Sequence, residues 1–194
     1  MPPTLLSDAA RVTLERRADP RADLRADAML LTHGRAGTEP LLAAALLVDA
    51  VRSGHLAVFE GRRIVAGPSA AEPQLLADLR ARVVGAVPGS PLDWIERTAE
   101  FVPERIAAEL VGAGIAMPLS PRFGRRFTLS VNARAEAAAR GRIATDPALA
   151  VLLYTCGHPT GDPLPPPAHA LPEAERAILA ALRDHVRAAD RPAA

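Results

Sequence analysis

The most chemically loaded stretch of the sequence is Pro121 to Phe127, PRFGRRF, where arginines and phenylalanines are crowded together. Guanidinium groups hold phosphates bidentately, and a neighbouring phenylalanine can enter the acyl boundary of a bilayer. Arg122, Phe123, Arg125 and Arg126 are therefore the candidate contacts for an anionic lipid surface. A DNA minor groove or an anionic protein would suit the same mixture. So would a plainer arrangement, with Phe127 and Phe123 turned into a core and the arginines merely solvated.

Other reactive residue types are present but poorly spaced. Cys156-Gly157-His158, with Asp162 nearby, offers a soft ligand and an imidazole, yet one loop supplies too few donors for a metal. An imidazole two residues from the sulfur, at a helix end, rarely reaches it, so no Cys–His nucleophile is expected. His33, His55, His158, His169 and His185 show no ligand spacing. No phosphate loop, dinucleotide glycine fingerprint or HExxH occurs. The expectation is a protein that is not an enzyme and uses neither cofactor nor metal.

The whole chain bounds what must position these residues. Its 194 residues suit one domain, which would bury roughly 70% of the surface its unfolded form exposes. Hydrophobic residues make up 49% and aromatics only 3%, so a core must rest on Leu, Val, Ile and Ala, which favours helices over many strands. A net charge of +1 gives no global pull toward nucleic acid or anionic lipid. All 23 basic residues are arginine, a bias that GC-rich codon usage explains more simply than selected chemistry. Cys156 is the only cysteine, which suits a reducing, cytoplasmic setting, and the N-terminus shows no signal-peptide pattern.

The organising element is Pro40 to Ala66. Leu41 to Val48 is apolar on every face, too short to cross a bilayer, and therefore reads as a buried central helix. Gly54 stops it, His55 to Phe59 and Arg63 to Ala66 alternate as strands, and Glu60 to Arg62 turns between them. The same helix, glycine stop and hairpin recur over Val102 to Val131, with strands at Ile115 to Leu119 and Arg126 to Val131. Both turns carry Gly-Arg-Arg, so the pair reads as a shared local solution or an old duplication.

Around these units, helices are expected over Leu24 to Leu31, Pro73 to Val87, Leu92 to Glu100 with Ser90 as N-cap, and Asn132 to Ile143. Two more are expected over Ala148 to Tyr154 behind Asp146-Pro147, and over Pro172 to Ala189. Ser7 to about Arg17 could form a short helix, and Gly157 to Ala170, with five prolines, should be an exposed loop. Trp94 suits a core anchor whose indole N–H finds one acceptor, or a stacking or membrane contact. Residues 1–23 read as an N-terminal extension, 24–190 as the domain and 191–194 as a frayed end.

The order of segments resembles the Golgi phosphoprotein 3-like family. ALLVDAVRSGHL from Ala45 to Leu56 is similar to that family's helix and glycine-basic-leucine signature. Asp93-Trp94-Ile95 followed by VPERIAAELVGAG from Val102 to Gly114 resembles its V-x-E-R-L helix, and Asp146-Pro147 opens a helix of its D-P type. The likeness covers roughly residues 24–190. It implies a mainly α-helical domain with a protruding β-hairpin, here 115–131, used in self-association. It also implies peripheral membrane binding through phosphatidylinositol 4-phosphate, since eukaryotic members are adaptors for Golgi glycosyltransferases; bacterial relatives look like the same fold. The family builds its headgroup site from a tryptophan and several basic residues. Laid on this sequence without gaps, those positions fall at Gly34, Ala43, Glu100 and Pro103, none aromatic or basic.

The resulting expectation is a non-enzymatic adaptor, cytoplasmic and peripheral on the inner face of a membrane, whose family headgroup residues are lost. The alternative is a winged-helix regulator that binds nucleic acid, since helix followed by basic hairpin is also its pattern. Acids on the helices before the hairpins, Asp49, Glu104 and Glu109, argue against that.

Overall fold

Leu41 to Val48 require surroundings that exclude water on every side, and the neighbouring elements supply them. The computed structural model describes residues 24–60, 62–69, 73–119, 128–158 and 168–190. Among these the helices are α1 (Leu24–Thr32), α2 (Glu39–Arg52), α3 (Gln74–Val84), α4 (Pro91–Ala99) and α5 (Val102–Gly112). They continue with α6 (Ala133–Arg142), α7 (Pro147–Thr155) and α8 (Glu173–Ala189). Strands β1 (Leu56–Phe59) and β2 (Arg63–Ala66) form one antiparallel pair, and β3 (Ala116–Leu119) and β4 (Thr128–Val131) another. The architecture is mainly α with two short β-hairpins, as the sequence predicts.

Every residue of α2 from Leu41 to Val48 is at most 1% exposed. The helix touches α1, α3, α4, α5, α7, α8 and β1, so no face is left to solvent. Pro40 and Glu39 start it as expected. Its end and that of α5 are built alike. Ser53 N–H donates to Asp49 O and Gly54 N–H to Val51 O; Ala113 N–H donates to Glu109 O and Gly114 N–H to Val111 O. Gly54 and Gly114 have φ of 76° and 67°, the left-handed conformation that releases the chain into each hairpin. Leu56 then lies opposite Ala66, and Ala116 opposite Val131. The repeated sequence is a repeated geometry.

Several local expectations need correction. Pro88-Gly89 is more than a turn, because Ile64 N–H donates to Gly89 O at 2.9 Å and ties this segment to the edge of β2. Val84 is exposed although Val83 beside it is buried, because neighbouring side chains leave a helix about 100° apart, and Tyr154 is exposed at the end of α7, where its phenol can stay wet. Trp94 is a core residue, 3% exposed, with the Arg97 guanidinium 5.2 Å from its ring. Its indole N–H finds no acceptor among the described residues; a glycine, Gly89, lies against that nitrogen instead. Asn132 caps α6 rather than entering it. The extension 1–23 with its Ser7 helix, the tip Pro121 to Phe127, most of the Gly157 to Ala170 loop and residues 191–194 lie outside the described residues. Ala168–Ala170 form a single 3-10 turn.

Two glycines separate backbone approach from mere permissiveness. A Cβ on Gly67 would fall 2.2 Å from Gly54 O, because the hairpin base closes there with Gly67 N–H donating to His55 O. A Cβ on Gly141, in α6, would meet nothing. Gly67→Ala should therefore lower the urea midpoint through backbone displacement, whereas Gly141→Ala should raise stability by about 0.5–1 kcal/mol through a lower unfolded-state entropy.

Candidate functional site

Among the described residues, the buried charged side chains fall into three ion-paired groups. Asp49, on the buried α2, accepts from Leu24 N–H at 3.1 Å and Arg25 N–H at 3.0 Å, so a side chain from one helix caps the start of another. The Arg25 guanidinium bonds Asp49 at 3.1 Å and reaches Glu109 at 3.2 Å. Asp49 and Glu109 hold the same position, five residues before the left-handed glycine, in the two repeated units. Burial pushes the Asp49 carboxyl up to about 7, against the pull of the Arg25 charge and the hydrogen bonds from Arg25 and Leu24.

At the other side of α2, Arg52 bonds both oxygens of Asp146, at 2.7 and 3.1 Å. It also bonds both oxygens of Glu175, at 3.0 and 2.9 Å. Asp146 at the same time caps α7 through Ala148 N–H and Leu149 N–H. Burial works against the Arg52 charge, but hydrogen bonds to Asp146 and Glu175 outweigh it and hold the guanidinium more firmly protonated than usual. The third group pairs Arg142 of α6 with Asp27 of α1. These groups fasten helices together and hold no reacting centre.

No nucleophilic arrangement emerges among the described residues. Burial pushes the Cys156 thiol up to about 11, which removes the thiolate needed for attack. Burial and the Arg35 charge lower His158, and its Nδ1 has no partner among the described residues. Ser53 Oγ lies 2.9 Å from His55 Nδ1, but it also lies 2.7 Å from Asp49 O at a helix end, and His55 is 1% exposed. Among the described residues no group of three His, Cys, Asp or Glu is placed to hold a metal ion.

A concave site does exist. A cavity of about 340 Å³ opens where the loop after α1 meets the first turns of α2 and α5. Met29, Leu42, Ala107 and Leu129 give it an apolar floor, and Leu129 brings the β3–β4 hairpin to its edge. Gly34, Glu100 and Pro103, far apart in sequence, all line it, while Ala43 is fully buried in α2 behind Leu42. Three of the four positions designated by the family resemblance thus share one cavity.

The electrostatics of this cavity oppose a phosphate. Two helix N-termini face it, an arrangement that by itself favours anions. Glu39 and Glu104 sit in those first turns, however, and Glu100 joins them at the rim. His33 and Arg35 are the basic residues of its lining. Three carboxylates against one guanidinium outweigh the fractional positive charges of two helix ends. The meeting of Glu39 and Glu104 is not legible in the sequence, where acid after a helix start is visible but carries no information about which starts are neighbours.

Arg122, Phe123, Arg125 and Arg126 lie outside the described residues. β3 and β4 lead into that stretch, and Met117 on β3 is 68% exposed. No helix among the described residues is long and apolar enough to cross a membrane. The complete burial of α2 from Leu41 to Ala50 keeps it from entering a DNA groove, and α5 exposes Glu104 and the small Ala108 beside Arg105. Compared with known proteins, the chain matches no family model and no curated protein.

Arg52 offers a direct test of the ion-paired frame. Its side chain is 15% exposed, and those of Asp146 and Glu175 are 7% and 8% exposed. Arg52→Met should cost about 3–5 kcal/mol in urea unfolding, because two shielded carboxylates lose their shared partner. Arg105→Met, which removes a more exposed pair with Asp78, should cost under about 1 kcal/mol.

Proposed function

We propose that this chain is a Golgi phosphoprotein 3-like adaptor domain without enzymatic activity, peripheral on an anionic membrane. The observation that carries this reading is the meeting of Gly34, Glu100 and Pro103 at one cavity beside the β3–β4 hairpin, in a helical body with the family's order of segments. On this reading the carboxylates at the rim of the cavity leave the domain without a site for a phosphorylated headgroup. Contact with the membrane then falls to Arg122, Phe123, Arg125 and Arg126, with exposed Met117 adding apolar surface near the same hairpin. Arginines at such a surface each contribute about 1 kcal/mol, enough for reversible attachment and too little for headgroup specificity.

Vesicle co-sedimentation tests this reading. The protein should pellet with phosphatidylserine-containing vesicles, should gain nothing when phosphatidylinositol 4-phosphate replaces equal charge, and should stay in solution with phosphatidylcholine alone. Arg122→Ala, Arg125→Ala and Arg126→Ala together should weaken binding by about 3 kcal/mol, on the order of 100-fold. Equal indifference to charged and neutral vesicles would remove the membrane role.

A further inference from the structure

A second concave surface lies on another part of the molecule. It is a groove of about 390 Å³ between α7 and α8, floored by Val151, Leu179 and the small side chains Ala177 and Ala180. Its rim carries Glu173, Arg176 and Arg183 of α8, all exposed and without a hydrogen-bond or ion-pair partner among the described residues. Tyr154, 56% exposed, projects from α7 next to Thr155, which also lines the groove. Glu175 of the same helix is turned away from this rim and holds Arg52, and His185 lies 3.6 Å from Glu96.

We infer that this groove is an interface between two copies of the chain, in which α8 packs antiparallel to α8 of the second copy. The face is complementary in charge to itself. Glu173 and Arg183 are about 15 Å apart along the helix axis. A two-fold axis at the level of Ile178 places each Glu173 opposite the Arg183 of the other copy, satisfying both pairs at once. The same operation sets the long Arg176 side chain across the small Ala180, so Ala177 and Ala180 permit close approach of the helices. Tyr154 then supplies the apolar area with a polar tip that interfaces favour. A parallel arrangement would oppose like charges, so the pattern selects one orientation. No described residue of the β3–β4 hairpin lines this groove, and the interface does not depend on membrane attachment.

Sedimentation equilibrium of the full chain, without lipid and at up to about 100 µM, where contacts smaller than standard interfaces still assemble, tests the inference. The wild type should form a dimer. Glu173→Arg and Arg183→Glu should each weaken it about tenfold or more, since each turns two attractive pairs into two repulsive ones. An equimolar mixture of the two variants should recover dimer, because their faces carry opposite charge. Circular dichroism of each variant should remain that of the wild type. The Arg122/Arg125/Arg126→Ala variant should dimerise normally. A monomeric wild type, full dimerisation of both single variants, or no recovery in the mixture would each overturn the interface. Loss of dimer in the arginine-tip variant alone would assign association to the hairpin.

Discussion

A helix that is apolar all round can exist in water only when other elements enclose it completely, and α2 sets that condition for this chain. Packing by shape alone leaves helices free to slide, because leucine and alanine faces interdigitate in several nearly equivalent registers. The two charged residues near the end of α2 narrow that choice. Asp49 receives the first two N–H groups of α1, and Arg52 grips the cap of α7 and the first turn of α8. Each partner has one place to go. The charges cost desolvation, and their return is a defined arrangement of neighbours around an otherwise featureless helix.

The repeated unit adds a second layer to this frame. Two helices ending in the same left-handed glycine geometry present an acid at the same position, and Arg25 binds both. One guanidinium thus stands at the seam between the two copies. The hairpins that follow differ mainly in the stretch between strands, which is short between Phe59 and Arg63 and much longer between Leu119 and Thr128.

The cavity shows how side chains can reverse the charge that helix ends bring to a concave surface. Two helix N-termini facing one concavity make an anion site by default. Carboxylates in both first turns neutralise the helix ends locally, and Glu100 carries the balance past neutrality. Acid at a helix start is also favourable for each helix by itself. The side chains that suit each helix start are thus the ones that make the rim of the cavity acidic.

The division between what was legible in the chain and what was not follows the range of the forces involved. The central helix, both glycine stops, the Ser90 and Asp146 caps and all four strands were readable within a residue or two, because period, capping and positive φ act over a few neighbouring residues. The exposure of Val84 and Tyr154 is not legible, because an apolar run within a helix does not reveal on which side its packing partners lie. The burial of Asp49, the double grip of Arg52 and the meeting of Gly34 with Glu100 and Pro103 join residues from distant parts of the chain. Local sequence determined the elements; only the enclosure of α2 decided which of their charged ends would face one another.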